Sequence, residues 1–332
     1  FPIAKIAALL SIGYTLDEIL NDITGKTPAC FEPSIDYVVT KVPRFAFEKF
    51  RGSRDELTTC MKSVGEAMAI GRSFVESFQK AIRSLEVGLS GWGGDRLDPE
   101  LDQVELDRLL RTPSPQRIMA IRWAMVKGKS IHDIHKLTNI DTWFLDKLRS
   151  LLDIENTFLK GNSLKNLDYD SLLYVKQNGF SDKQIAWFLA TSESSVRDYR
   201  YDNNVLPFYK TVDTCAAEFK SSTPYYYSTY EKRVRNINSS TSESISINQS
   251  EVITSETQKK IMILGGGPNR IGQGIEFDYC CCHASFSSQK LGYKTIMVNS
   301  NPETVSTDYD TSDSLYFEPL TFEDVVNIIE VE

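Results

Sequence analysis

The chain has 332 residues, with 37 Lys and Arg against 45 Asp and Glu and a formal net charge of −8. At ~150 residues per domain the length suggests about two domains, and the acidic balance argues against a general nucleic-acid or anionic-membrane binder, which needs a basic face. Hydrophobic residues at 41% and aromatics at 11% supply a packed core and exclude wholesale disorder; no apolar run approaches the ~18 residues of a membrane-spanning helix.

Phe1-Pro2-Ile3-Ala4-Lys5 lacks an initiator Met and the basic-then-apolar layout of a signal peptide. The chain therefore reads as a piece of something larger, with a native start trimmed of Met as the alternative. Ile3, Ile6, Leu9 and Leu10 have helical spacing, and Gly13 stops that helix. Thr15 and Glu18 fit a capping box for a second one. Ser34 to Val42 is expected as a strand with Ile35, Tyr37 and Val39 on one face, ended by Pro43. Val75, Phe78, Ile82 and Leu85 then make one apolar stripe on a helix. Gly88, Gly91, Gly93 and Gly94 are a breaker cluster, taken as the first domain boundary, so that the first region spans 1–94.

From about residue 95 to 235 the pattern is almost entirely helical, without strand alternation, and an all-α domain of several short helices is expected. Asp141 is placed to cap a helix carrying Phe144, Leu145, Leu148, Leu151, Leu152 and Phe158, and Ser181 to cap one carrying Ile185, Phe188 and Leu189. Residues 236–260 are rich in Ser, Thr and Asn and read as a flexible linker; without a signal peptide its sequons at Asn238 and Asn248 count as chance matches. In residues 261–332, a short buried strand at Ile261–Leu264, a glycine turn, a helix from about Gly274 to Leu291, a second strand at Thr295–Val298 and a helix from Phe322 to Ile329 make a parallel β-α-β-α unit. That is only a partial sheet, as if the fold continued beyond the chain.

The chemistry-bearing motifs divide unevenly. Gly265 to Gly274 lies between strand and helix, where phosphate loops sit, but fits neither nucleotide pattern. Arg270 stands where a dinucleotide fold needs its third glycine, and Gln273-Gly274 stand where a P-loop needs Lys and Ser or Thr. Asn299-Ser300-Asn301 supplies no acid to hold a ribose. Cys280-Cys281-Cys282-His283 cannot converge on one ion, because successive helical residues diverge by ~100°; buried structural thiols are expected. Six cysteines in all, three consecutive, form no disulfide framework and suit a reducing compartment. His132 and His135 share a helix face but lack a matching third ligand, so a solvated or capping role is expected, and none of the three histidines has a nucleophile beside it. The polar run Asn299–Asp313 is either a ligand site or interface at a strand's carboxyl end or a connector of Asx and Ser/Thr turns.

Ile263 to Cys281, with Gly265-Gly266-Gly267-Pro268-Asn269-Arg270, and Met297 to Asp313 closely resemble signatures of the carbamoyl-phosphate synthase large subunit, in the form of its second half. Ser34–Phe45 and Met61–Glu66 resemble the end of the first half's ATP-grasp domain, and Val212–Phe219 the segment leading into the second half. The resemblance is weaker through the helical middle, apart from Thr138–Asp141 and Trp143–Leu145. It implies α/β plus all-α architecture: the end of an ATP-grasp (carboxyphosphate) domain, a helical oligomerisation domain, and the start of a Rossmann-like pre-ATP-grasp βαβα unit.

It also implies a parent ligase that makes carbamoyl phosphate from bicarbonate, ammonia or glutamine and two ATP, using Mg²⁺ or Mn²⁺, with unstable intermediates passing through a tunnel. The implied partners are the rest of the large subunit, a glutaminase subunit or domain, and further copies through the helical domain, with neither nucleic acid nor membrane. The implied compartment is the cytoplasm, or the mitochondrion. On the same basis the chain carries no catalytic residue, cofactor site or metal site of its own and is inactive alone. Arg270, Gly272, Gly274, Glu276, Asn299 and Asn301 become candidates for tunnel-wall or domain-interface roles, with a structural ion pair as the alternative for Arg270 and Glu276. A free-standing nucleotide-binding protein and a purely helical scaffold are the competing readings.

Overall fold

The structure, a computed structural model, describes residues 2–22, 24–50, 52–221, 223–232, 235–237, 244–246, 250–253 and 257–332. Helix α1 (Ile3–Ser11) buries Ile6 in a small cluster with Ile19 and Ala29. The Thr15 N–H donates to the Glu18 carboxylate at 2.9 Å, half of the expected capping box, but a turn follows rather than a helix.

Strand β1 (Val38–Arg44) pairs antiparallel with β2 (Gly65–Gly71). Two expectations fail here. The strand runs through Pro43, which sits opposite Glu66; a two-stranded ribbon leaves β1 an open edge where a missing donor does no harm. Its phase is also reversed. Val38, Thr40 and Val42 turn inward, while Val39 and Ile35 are 44% and 69% exposed.

Helix α2 (Phe74–Ser84) begins at Ser73, whose hydroxyl accepts from the Glu76 N–H, and is buried on every side. Its apolar stripe enters one core with the helices that follow: α3 (Gln103–Arg111), α4 (Arg117–Val126), α5 (Ile131–Thr138), α6 (Thr142–Ile154), α7 (Tyr169–Gln177), α8 (Asp182–Phe188) and α9 (Glu193–Asp202). The glycine cluster is the packed seam of that core. Trp92 is fully buried, its indole N–H donating to the Ile118 carbonyl at 2.9 Å. Asp141 caps α6 through the Trp143 N–H, and Ser181 and Gln184 close a complete capping box on α8, as expected. Helix α6 continues into a π-helical turn, Glu155–Leu159, that holds Phe158.

The helical pattern ends earlier than expected. Phe208–Thr211 forms β3 and Tyr225–Thr229 forms β4, aromatic-rich stretches that suit a pleated, half-buried surface. In the stretch read as a linker, β5 (Arg235–Ile237) pairs with β6 (Ser244–Ser246), and the Glu251 N–H donates to the Tyr209 carbonyl at 2.8 Å. Positions 238–243, 247–249 and 254–256, with both sequon asparagines, lie outside the described residues.

The last part holds β7 (Lys260–Leu264), α10 (Glu276–Lys290), β8 (Lys294–Asn299), β9 (Ser314–Phe317) and α11 (Phe322–Val331). The expected partial sheet is larger than the β-α-β-α reading. It has five strands in the order β3-β4-β9-β8-β7, and all pairings are parallel except β3 with β4. Strand β9 follows directly on the polar run, and β3 and β4 come from before the Ser-rich stretch. Strand β8 is buried, but β7 is an edge strand, only half-buried, with Leu264 47% exposed.

Candidate functional site

The glycine-rich loop leaves the carboxyl end of β7 and faces the carboxyl end of β8. Asn299, 1% exposed at the end of β8, organises both. Its Oδ1 accepts from the N–H groups of Gly267 at 3.1 Å, Ser300 at 2.8 Å and Asn301 at 3.2 Å, and its Nδ2 donates to the Ser306 hydroxyl at 3.1 Å. Asn301 joins in turn, Nδ2 donating to Asn269 Oδ1 at 3.2 Å and Oδ1 accepting from the Glu303 N–H at 3.0 Å. The Ser306 N–H donates to Asp278 on α10. The polar run is thus a connector built of Asx turns that also forms one wall of a cleft of about 420 Å³.

The other wall comes from far back in the chain. Val64 lines the cleft, and Gly65 lies so close to Asn269 that an added Cβ would sit 2.7 Å from its backbone nitrogen. The Met68 N–H donates to the Ser300 carbonyl at 2.8 Å. Lys41 reaches Glu66 at 2.6 Å and Glu303 at 3.5 Å; the hydrogen bond to Glu66 leads in raising the Lys41 ammonium above its ordinary range. Arg270 pairs with Glu86 at 2.5 Å. Burial pushes the Glu86 carboxyl up, against the pull of Arg270 and Arg44.

Arg270, Gly274, Asn299 and Asn301 therefore share the cleft. Gly272 and Glu276 stand with Gly274 on an adjoining apolar groove against Phe277 and Cys281. The ion-pair alternative holds for Arg270, which pairs with Glu86, while Glu276 is exposed. Cys281 and Cys282 are buried and Cys280 exposed; burial pushes the Cys282 thiol up to about 11, so it stays protonated at neutral pH. His132 is exposed, while His135 Nδ1 meets the Ile140 carbonyl at 2.7 Å beside the left-handed Asn139, a capping role.

The cleft is not built like a phosphate site. Its loop lacks a lysine, and the first turn of α10 carries Glu276 and Asp278, whose charge opposes a phosphate at a helix N-terminus. Among the described residues no group of three or more His, Cys, Asp or Glu is arranged to hold a metal ion, and no helix is long and apolar enough to cross a membrane.

A second polar assembly escaped sequence reasoning. Lys80, Arg83, Lys176, Arg200, Asp182, Glu318, Glu323 and Asp324 are all buried where α2, α7–α9 and α11 meet. Burial works against the charged form of Glu323, but Lys176, Arg200 and Arg83 hold its carboxyl down at about 2. The available signal was the charged row Glu76, Lys80 and Arg83, spaced to share one face of α2.

Two family models match the chain: the carbamoyl-phosphate synthetase large chain oligomerisation domain over residues 66–204, and the carbamoyl phosphate synthase preATP-grasp domain over residues 257–332. The first match spans both sides of the glycine seam. Similar relatives include the carbamoyl phosphate synthase large chain of Nostoc, 62% identical over 332 residues. The arginine-specific chloroplastic large chain of rice is 60% identical over 333 residues, and the large chain of Archaeoglobus fulgidus 54% over 335. Each alignment covers 100% of this chain but only 28%, 27% and 30% of the respective relative.

Proposed function

The chain belongs to the carbamoyl-phosphate synthase large-chain family, and we propose that it forms the connecting core of such an enzyme. In this reading residues 1–94 end the first ATP-grasp (carboxyphosphate) domain, 95–235 form the oligomerisation domain, 236–260 link, and 261–332 open the second half. The whole enzyme is an ATP-dependent ligase that makes carbamoyl phosphate from bicarbonate, two ATP and ammonia drawn from glutamine. ATP, its Mg²⁺ or Mn²⁺ and a glutaminase subunit or domain belong to that whole enzyme. The loop chemistry gives no reason to seat a triphosphate in the cleft, so no step is assigned there.

One observation carries the reading: the cleft at the glycine-rich loop is built jointly by the two ends of the chain, through Gly65 beside Asn269, Met68 on Ser300 and Glu86 on Arg270. A cleft at a seam between successive domains suits passage of an unstable intermediate. Arg270, Gly272, Gly274, Glu276, Asn299 and Asn301 are its proposed wall and interface residues. Gly274 borders both cleft and groove, so Gly274→Phe in the full-length enzyme places a ring across both. The expected result is bicarbonate-dependent ATP turnover with less carbamoyl phosphate formed per ATP. An unchanged ratio would sink the passage reading. Bicarbonate-dependent ADP release by the 332-residue chain alone is expected to stay at the buffer level, and clear release would place a nucleotide site within it.

A further inference from the structure

The junction of α2, the α7–α9 helices and the β9–α11 end of the sheet is filled with charge. Lys80, Arg83, Lys176 and Arg200 face five carboxyls, Glu76, Asp182, Glu318, Glu323 and Asp324, and none of the nine is more than 6% exposed. Four carboxyls have a cation: Glu318 has Lys80 at 2.9 Å, Asp324 has Arg83 at 3.0 Å, Glu323 has Lys176 at 2.6 Å, and Asp182 has Lys176 and Arg200, both at 2.9 Å. The fifth, Glu76, is joined by no ion pair to a described cation. Its Oε2 accepts from the Arg72 main-chain N–H at 2.7 Å and the Thr229 hydroxyl at 3.2 Å. Its Oε1 is buried without a hydrogen-bond partner. Glu76 also lines a cavity of about 10 Å³ with Lys80, Arg83, Lys176, Glu323, Asp324 and Tyr230, about the room that one water needs.

An ionised carboxylate with a bare oxygen in so dry a place is costly, whereas a carboxylic acid is tolerated once its hydroxyl has an acceptor. We infer that Glu76 is held as a neutral carboxylic acid whose Oε1 hydroxyl donates into this cavity, so that docking β9 and α11 against α2 takes up one proton. The groups facing it agree. Burial raises Glu76; Lys80 on α2 and the Arg72 N–H oppose this, and Glu318 beyond β9 adds to it. Tyr227 and Thr229 on β4 are the remaining neighbours. Glu318 also has a bare buried oxygen, Oε2, and burial raises its carboxyl too, but its Oε1 keeps the Lys80 ammonium and the Ser228 N–H, with Asp324 of α11 and Tyr209 of β3 nearby. Any motion that parts β9 from α2 is thereby coupled to release of a proton, and mild acid favours the closed junction.

Infrared difference spectroscopy on the whole chain at neutral pH tests this directly. The carbonyl band of a protonated carboxylic acid is expected in the wild type and in Glu318→Gln, and is expected to be lost in Glu76→Gln. No such band in the wild type, or a band that vanishes in Glu318→Gln and survives in Glu76→Gln, overturns the assignment. Denaturant unfolding supplies an independent reading. The folding constant of the wild type relative to Glu76→Gln is expected to fall tenfold per pH unit as pH rises above the ordinary glutamate range. A pH-independent ratio would reduce Glu76 to a packing role.

Discussion

Lys80 and Glu318 lie 238 positions apart in the chain, yet their charged groups meet at 2.9 Å with both side chains buried. Lys80 also donates to the carbonyls of Ile70 and Ser228, at 3.1 and 2.6 Å. One ammonium thus ties β2, β4 and the segment after β9 to α2. Removing it leaves the buried Glu318 carboxylate with the Ser228 N–H but no cation, and takes a donor from two buried carbonyls. Lys80→Met is therefore expected to destabilise the chain by about 3–5 kcal/mol in denaturant unfolding. Lys80→Met combined with Glu318→Leu is expected to lose less than the two single changes together, because the second removes the charge that the first stranded.

Acid acts on this junction through Glu323, whose carboxyl lies at about 2 instead of its ordinary 4.5 because Lys176, Arg200 and Arg83 outweigh its burial. A carboxyl lowered in the folded state contributes stability that is fully present above the unfolded value and is lost as pH falls through the folded one. Glu323→Gln is therefore expected to be less stable than the wild type at neutral pH, and the gap is expected to close as pH drops from about 4.5 toward 2. Unfolding midpoints followed by circular dichroism across that range check the sign: a gap that widens in acid is incompatible with it.

What could be read from the sequence was what is local. The caps Asp141 and Ser181 each act within three residues, and the structure keeps both. The glycine-rich loop and Asn299 were legible because a strand, a turn and a helix follow one another there. The partner of Arg270 was not, since Glu86 lies 184 positions away. Strand β4 was missed for the same kind of reason, because it is held between β3 and β9 rather than by its own periodicity. The phase of β1 misled because Ile35 and Val39 are apolar but exposed, while Thr40 faces inward and meets the Ser77 hydroxyl of α2 at 2.7 Å. Nothing in the periodicity of α2 marks its charged row as interior; contacts from α8 and α11, at Gln184 and Asp324, make it so.

Gly93 ties the backbone to another buried pair. Its φ of +102° is one that side chains rarely adopt, and an added Cβ would overlap the Arg122 guanidinium. That guanidinium pairs with Glu155 at 2.5 Å, and both side chains are no more than 3% exposed. Gly93→Ala is therefore expected to cost more than backbone strain alone, above about 2 kcal/mol. Gly128 has φ +84° with nothing within 4 Å of an added Cβ, so Gly128→Ala is expected to cost only about 1 kcal/mol. Equal losses in thermal unfolding would mean that the Arg122–Glu155 pair moves aside freely.

Asn299 gathers the cleft by accepting three main-chain N–H groups on one oxygen while giving its amide to Ser306. The two halves of the amide can be separated chemically. Asn299→Asp keeps the acceptor, and the Ser306 hydroxyl can rotate to donate to the new oxygen. Asn299→Leu keeps the bulk but leaves buried N–H groups unsatisfied, at about 1–3 kcal/mol each. Asp is therefore expected to preserve, and Leu to abolish, slow hydrogen exchange at the amides of Gly267, Ser300 and Asn301. The loss should be confined to the loop, because β8 itself is held by Ile296 and Val298 in the core beneath. If Leu leaves those three amides as slow as in the wild type, the cleft is held by strand pairing and not by Asn299.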